Sequence, residues 1–295
     1  MNSSQNIFVL EKKKFSHSSC CTYILPNISA EEIDKLDYLP QICLPEATFT
    51  PKKGLPTIGV ILALESGFYS IDEPYVLALL QAGANIKFIT YKNVETQLSD
   101  IDGVLLIGGF FPTPNNWYIH PSSETQPPLP PRTLAYLSIL DWAYRHKMPI
   151  FGVCGGMQMM SGFLGAKLMF LEKDFGYTPF QHKGINANDY AHPIIINSNS
   201  LLFDVAKINH ITVNSVHSEA VASVPHDKIK ISAQTEDGII EAIEFINYPA
   251  FALGVQWHPE RMAVQGEIFS KNLYKRFVLE AHKFYQTKVF DNSPF

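Results

Sequence analysis

The sequence lacks the features that mark several large classes of protein. It contains no apolar run near the roughly 18 residues that a membrane-spanning helix needs, and its first residues lack the basic and then apolar pattern of a secretory signal. Charged side chains make up only 17% of the 295 residues, and the formal net charge is -5. Without a basic stripe, the chain has no general attraction for nucleic acid or anionic membranes. We therefore expect a cytoplasmic protein with neither kind of partner.

Cysteine is also scarce, and its spacing excludes two common uses. The four cysteines are Cys20, Cys21, Cys43 and Cys154, which are too few and too unevenly placed for a disulfide framework in a chain of this length. No Cys-x-x-Cys pair and no cluster of cysteine with histidine along the sequence indicates a zinc site. We expect free thiols, no metal and no cofactor.

Hydrophobic residues are plentiful, and their pattern divides the chain in two. They make up 46% of the sequence, which predicts a folded core. Residues 1–54 have scattered apolar positions without a sustained period and end in a stretch rich in proline and lysine. From Thr57 the pattern changes to continuous apolar runs of strand length. We predict an N-terminal extension over residues 1–54 and one larger domain over residues 55–290.

Strand-like and helix-like segments alternate through the larger domain. Strands are predicted at 57–64, 86–90, 103–107, 149–153, 194–196, 210–216, 229–233, 239–246 and 252–256, and helices at 72–82, 131–146 and 266–285. The pattern predicts an α/β fold, a doubly wound, mostly parallel sheet with helices on both faces and ligand chemistry at the carboxyl ends of its strands. The proline-rich loop 110–131 begins at such an end. It could be an ordered surface excursion, a wall of a substrate pocket or a partner contact.

One predicted strand ends at a cysteine that is flanked by glycines. Residues 149–158 read Pro-Ile-Phe-Gly-Val-Cys-Gly-Gly-Met-Gln, so that Gly152, Gly155 and Gly156 surround Cys154. A sharp strand-to-helix turn needs small neighbours, and it exposes a nucleophile at the strand end. The positive end of the helix also lowers the pKa of a thiol. The alternative is an inert core cysteine, which is what most lone cysteines are.

A second motif supplies the partners that a thiolate nucleophile requires. Residues 254–260 read Gly-Val-Gln-Trp-His-Pro-Glu, an apolar run that ends in His258 and, two residues later, Glu260. His258 would take the thiol proton and return it to a leaving amine, while Glu260 would hold the imidazole tautomer. An isolated His-x-Glu is common in surface turns, so the hypothesis of a Cys154–His258–Glu260 triad depends on both motifs together.

These two motifs resemble those of the class I glutamine amidotransferase superfamily, which has a Cys-His-Glu triad and a flavodoxin-like fold. Four further segments are similar to its γ-glutamyl-γ-aminobutyrate hydrolase branch, the peptidase C26 family: 103–109, 213–217, 237–243 and 252–260. The resemblance covers about residues 57–285. It implies that the predicted domain over 55–290 is the catalytic domain.

The resemblance also implies roles for individual residues. The backbone amides of Gly109 and Gly155 would form the oxyanion hole, where donors act on the charge that develops in the tetrahedral intermediate. The implied substrate-binding residues are Gly108, Phe110, Gln158, Asn214, Ser215 and His217. For a lone histidine such as His217, ordinary packing or solvent exposure is at least an equal alternative.

The chain departs from the pattern of this branch at three places. The branch usually has an acidic residue shortly after the glycine pair, where this chain has Phe110-Phe111-Pro112. It often has Arg-Asp-x-x-Glu on the preceding helix, where Arg132 is followed by Thr133 and then by Tyr136. Its His-x-Gln is His217-Ser218-Glu219 here. The surroundings of the substrate therefore differ while the triad is retained.

The leading functional hypothesis is a cysteine hydrolase of a small γ-glutamyl amide. Cys154 would form a γ-glutamyl thioester, the amine would leave, and water activated by His258 would release glutamate. Two alternatives remain: a glutaminase component that depends on a synthetase partner, and a non-catalytic binding or regulatory module on the same fold. A homodimer is also left open.

Overall fold

The computed structural model describes residues 7–15, 20–46, 49–176, 182 and 187–291. Its strands are β1 (Ile7–Val9), β2 (Glu11–Lys13), β3 (Thr22–Ile24), β4 (Gln41–Cys43), β5 (Thr57–Ile61), β6 (Ala63–Glu65), β7 (Phe68–Asp72), β8 (Asn85–Ile89), β9 (Gly103–Leu106), β10 (Ile150–Val153), β11 (Lys167–Phe170), β12 (Tyr190–Ile196), β13 (His210–Asn214), β14 (Glu219–Ser223), β15 (Ile229–Gln234), β16 (Ile240–Phe245) and β17 (Ala252–Val255). Its α-helices are α1 (Ala30–Asp34), α2 (Glu73–Ala82), α3 (Pro131–Arg145), α4 (Gly155–Phe163), α5 (Leu201–Ala206), α6 (Pro259–Val264) and α7 (Ile268–Asp291). None of these helices is both long and apolar enough to span a membrane.

A central parallel sheet forms the core of the molecule. Its five parallel strands lie in the order β17, β10, β9, β5, β8, and antiparallel strands continue beyond β17 in the order β16, β15, β12, β13. The strands β9, β10 and β17 are buried along their whole length. Strands covered on both faces need apolar side chains at every position, which explains their continuous apolar sequences.

Helices cover both faces of this sheet. The helices α2, α6 and α7 pack together, with α7 against β5 and β9, while α3 and α4 pack together against β9 and β10. Helix α2 ends at Gly83, whose φ of 90° is the left-handed cap conformation that glycine adopts without strain. The predicted doubly wound α/β architecture is confirmed.

One detail of the predicted elements is corrected. The apolar run from Thr57 forms two strands and not one, because β5 ends at Ile61 and β6 joins β7 in a separate antiparallel sheet. Ser66 and Gly67, with φ of 52° and 85°, form the tight turn between β6 and β7. Farther along the chain, the turn at Thr235–Gly238 joins two antiparallel strands, β15 and β16.

The described part of residues 1–54 packs onto the rest of the molecule. Strand β3 pairs with β7, which leads directly into α2. Leu10, Tyr23 and Ile33 are buried and belong to the same hydrophobic cluster as the central sheet. This part of the chain therefore supports the element that precedes α2.

Parallel pairing brings three sequence motifs to one edge of the sheet. Gly152 on β10 is paired with Leu106 on β9 and with Gly254 on β17. The chain leaves these three strands at the same level, and it does so just before Gly108, Cys154 and His258. The carboxyl edge of the sheet is where α/β folds bind their ligands.

Candidate active site

Cys154 lies on a strained turn between β10 and α4. Its φ of 51° and ψ of -111° are conformations that residues with a side chain rarely adopt. Glycine two residues later is required by close backbone contact, since a methyl group on Gly156 would lie 2.1 Å from the carbonyl oxygen of Leu106. The turn therefore fixes the Cys154 side chain at the strand end, as a nucleophile elbow does.

His258 and Glu260 are fixed at the end of β17, where α6 begins. The Nδ1 atom of His258 lies 2.7 Å from Oε1 of Glu260, and both side chains are buried. Asn214 holds the backbone of His258 on both sides: its Oδ1 accepts from the His258 amide at 2.8 Å, and its Nδ2 donates to the His258 carbonyl at 3.0 Å. The orientation of the imidazole is thus set by a carboxylate and by two backbone hydrogen bonds.

Cys154 and His258 are hydrogen-bonded and electrostatically coupled. Burial disfavours the ionised thiol, but the hydrogen bond and charge of His258 outweigh it and hold the pKa of Cys154 below its ordinary value. Burial also disfavours the charged imidazole, yet Glu260 and Cys154 raise the pKa of His258 to about 10. Both shifts favour a thiolate beside an imidazolium, which is the reactive form of a cysteine nucleophile.

Tyr75 is a further member of the site that the sequence did not indicate. Its hydroxyl accepts from the amide of Gly108 at 3.0 Å and lies 3.4 Å from Nδ1 of His258. Burial, with the nearby Glu260 carboxylate, holds the pKa of Tyr75 well above its ordinary value, so the phenol is neutral. Since the Gly108 amide is occupied, the amides of Gly109 and Gly155 are the better candidates for an oxyanion hole.

Arg132 supports the glycine pair from behind. Its Nη2 donates to the carbonyl of Gly108 at 2.7 Å and to the hydroxyl of Tyr136 at 3.0 Å, while Tyr136 donates to the carbonyl of Ile107 at 2.6 Å. The guanidinium also stacks on Phe111, 4.4 Å from the ring centroid. Tyr136 therefore accepts a hydrogen bond from Arg132, as an acidic residue at that position would, without adding a negative charge.

These groups open into one cavity of about 390 Å³, a volume in the usual range for small-molecule sites. Eight of the expected site residues line the cavity: Cys154, His258, Gly108, Gly109, Phe110, Gly155, Gln158 and His217. Charged side chains of both signs also line it, namely Glu65, Asp72, Arg132, Glu219 and Arg261. The cavity therefore combines a nucleophile with groups that can bind a zwitterion.

The sequence profile of the peptidase C26 family matches residues 63–260, more than half of the chain. The chain belongs to the peptidase C26 family. A γ-glutamyl-γ-aminobutyrate hydrolase of Escherichia coli K12 is 28% identical over 229 residues, which cover 70% of this chain and 85% of the relative. A Schizosaccharomyces pombe protein, provisionally named a glutamine amidotransferase, is 26% identical over 243 residues, which cover 79% of this chain and 92% of the relative.

Solved structures agree with this assignment at the level of the fold. A Thermoplasma acidophilum protein, described provisionally as one of the subunits of a GMP synthase, superposes with a TM-score of 0.56 at 16% identity, covering 80% of this chain and 98% of that one. Membership of the C26 family supports a hydrolase of the glutamine amidotransferase class.

Two residues that the resemblance to the C26 family assigns to substrate binding do not line this cavity. Asn214 and Ser215 are not among the residues that line the cavity. Besides its bonds to His258, Asn214 donates to the carbonyl of Ala187 at 3.0 Å, and the Ser215 hydroxyl donates to the carbonyl of His182. Both side chains are thus engaged by backbone groups, and direct contact of Asn214 and Ser215 with substrate stays a prediction.

The remaining expected C26 substrate residues do face the cavity. Gln158 donates to the carbonyl of Glu219 at 3.0 Å and to Oε1 of Gln256 at 3.2 Å, which fixes its side chain. Phe110 is 81% exposed and stands at the rim. The Glu219 carboxylate accepts from Tyr118 at 2.8 Å, and burial raises its pKa. Glu219 is therefore a candidate for recognising the polar head of a substrate.

Proposed function

We propose that this C26 family member hydrolyses γ-glutamyl amides through a thioester on Cys154. The observation that carries the proposal is the hydrogen-bonded series Cys154–His258–Glu260, held on a strained turn at the wall of the cavity. A thiolate paired with an imidazolium is poised to attack a carbonyl carbon and to protonate the leaving group.

The reaction proceeds in two halves on this geometry. The Cys154 thiolate attacks the γ-carbonyl carbon, and the resulting oxyanion is stabilised by the amides of Gly109 and Gly155. The imidazolium of His258 gives its proton to the amine nitrogen as the C–N bond breaks, leaving a thioester. His258 then takes a proton from water, the hydroxide attacks the thioester, and glutamate leaves as the thiolate is restored.

The charge distribution of the cavity supports a glutamyl head group. A γ-glutamyl amide keeps its free α-amino and α-carboxylate groups, and the cavity offers cations at Arg132 and Arg261 and carboxylates at Asp72 and Glu219. Arg261 donates to Asp72 at 3.0 Å, so its guanidinium is held in place. The E. coli relative is named for hydrolysis of a γ-glutamyl amide, which agrees with this substrate class.

The proposal is tested with the purified chain alone and a panel of γ-glutamyl amides, including glutamine and short amine and polyamine conjugates. We expect release of glutamate and free amine, and a loss of kcat of at least about 1000-fold in Cys154→Ala and in His258→Ala. Cys43→Ala serves as the matched control and retains activity, because Cys43 lies outside the cavity. Full activity in Cys154→Ala would refute the mechanism, and turnover of glutamine only with a synthetase partner would refute a stand-alone hydrolase.

A further inference from the structure

Four buried ionisable side chains converge outside the cysteine–histidine pair. They are His182, His192, His217 and Glu241, and one ligand-type atom from each lies within 4.8 Å of the others. Their exposed fractions are 2%, 8%, 3% and 0%, respectively. His192 lies on β12 and Glu241 on β16, while His217 follows β13. Residues far apart in the sequence are therefore brought together at one point.

Glu241 is the least expected member of this cluster. Its carboxylate is fully buried, and neither oxygen has a hydrogen bond of good geometry to any residue that the structure describes. Its nearest polar neighbours are Nε2 of His217 at 3.4 Å and Nε2 of His192 at 3.5 Å. An ionised carboxylate without hydrogen bonds is costly to bury unless a positive charge lies beside it.

The hydrogen bonds of His217 and His192 indicate which nitrogen of each ring faces Glu241. Nδ1 of His217 lies 3.0 Å from the carbonyl oxygen of Glu219, and Nδ1 of His192 lies 3.4 Å from the carbonyl oxygen of Pro193. A carbonyl only accepts, so Nδ1 carries the proton in each ring. In the neutral rings, both Nε2 lone pairs then face the Glu241 carboxylate. Three electron-rich atoms then meet there, and a cation between them would interact favourably with all three.

His182 completes the set with a second carboxylate behind it. Its Nε2 lies 3.1 Å from Oδ2 of Asp237, so Nδ1 is the atom that would bind a cation. A carboxylate or carbonyl on the other ring nitrogen is the usual support of a metal-binding histidine. All three histidines of the cluster have such an oxygen.

We propose that His182, His192, His217 and Glu241 bind a zinc ion. Three imidazole nitrogens and one carboxylate oxygen are ligands that zinc accepts, and four protein ligands make a closed, structural site. Zinc bonds of about 2.0–2.1 Å in a tetrahedron place ligand atoms about 3.3 Å apart. The two nitrogen–oxygen separations of 3.4 and 3.5 Å match this spacing, and the wider pairs must close slightly on binding.

The zinc ion would connect the wall of the cavity to the antiparallel part of the sheet. His217 lines the cavity, while His192 and Glu241 belong to β12 and β16. Metal binding would fix His217 and the Glu219 segment that accepts its hydrogen bond. The role is structural and does not replace any step of the cysteine mechanism.

The test measures metal on the whole chain, first without any change to the cluster. Protein purified without chelator is analysed for zinc by mass spectrometry, and chelator-treated protein is titrated with Zn²⁺ and with Co²⁺. Both are repeated in Cys154→Ala, because a thiolate beside His258 is a second place for zinc. We expect one equivalent per chain in both proteins, a higher Tm with zinc, and a cobalt spectrum without the sulfur charge-transfer band of a thiolate ligand.

Variants of the cluster identify the ligands. Glu241→Gln keeps the shape of the side chain and removes its charge, and His192→Ala removes one ring; each should weaken zinc binding by at least about tenfold. His226→Ala, at an exposed histidine outside the cluster, should bind zinc normally. The proposal is overturned if the Cys154→Ala protein binds no stoichiometric zinc or cobalt, which would leave a histidinium as the partner of Glu241. It is also overturned if Glu241→Gln and His192→Ala fold and bind zinc as tightly as the unchanged chain.

Discussion

The ionisation of Cys154 distinguishes it from another thiol of the same chain. The pKa of Cys154 is held below its ordinary value by His258, while burial raises the pKa of Cys43. Because only the thiolate is alkylated, limiting iodoacetamide should modify Cys154 at neutral and mildly acidic pH, where Cys43 stays protonated. The modified residues are identified by peptide mass spectrometry across a pH series, with unfolded protein as the reference for equal labelling.

The variant His258→Ala should raise the pKa of Cys154. Without the imidazole, the hydrogen bond and charge that lower the pKa are lost and the effect of burial remains, so the pKa of Cys154 should rise above its ordinary value. Alkylation of Cys154 at pH 7 should then fall at least about tenfold, which corresponds to a shift of one pKa unit. An unchanged rate in this variant would mean that His258 does not activate the thiol.

Substitution of Asn214 distinguishes a role in positioning His258 from a role in binding substrate. Its side chain holds the backbone of His258 and does not line the cavity, so Asn214→Ala should lower kcat by about 10- to 100-fold and leave KM nearly unchanged. Gln158→Ala is the matched change at a residue that does line the cavity, and there we expect KM to rise. A rise of KM with unchanged kcat in Asn214→Ala would instead support direct substrate binding by Asn214.

The turn between β10 and α4 depends on the absence of a side chain at Gly156. A methyl group there would lie 2.1 Å from a backbone oxygen of β9, which cannot move without disturbing the central sheet. Gly162→Ala is the control on the same helix, since its methyl group would meet the partly buried Trp117 ring, also at 2.1 Å, and a side chain can shift more easily than the backbone of a strand. We expect urea unfolding to show a loss of about 3 kcal/mol for Gly156→Ala and a smaller loss for Gly162→Ala. Equal losses would contradict the distinction.

Uniform burial makes the central parallel strands the clearest elements in the sequence. The strands β9, β10 and β17 are buried on both faces, and their apolar runs are visible without any structure. The strands β1 to β4 were missed because three residues are too few to show a period. Strand β7 was missed because its polar residues, such as Ser70, are buried by pairing with β3.

For the site, the sequence predicted the residues that share a local motif. Cys154, His258 and Glu260 each follow a buried strand, and parallel pairing explains why the strand ends meet. Tyr75 could not be found in this way, because its contact with His258 depends on how α2 packs. The cluster of His182, His192, His217 and Glu241 was missed for the same reason, since no pair of its members is spaced as a metal motif.

At the scale of the whole molecule, the segment before residue 55 contributes to a core that it shares with the central sheet. Ile33 on α1 is fully buried in this core, whereas Leu39 is 36% exposed. Ile33→Ala should therefore lower the free energy of unfolding by about 2–5 kcal/mol, and the matched change Leu39→Ala by less than about 1 kcal/mol. Thermal unfolding followed by circular dichroism and by the loss of hydrolase activity measures both. If the segment folded as a separate extension, Ile33→Ala would leave the transition of the catalytic domain unchanged; a common core requires both signals to fall together at a lower Tm.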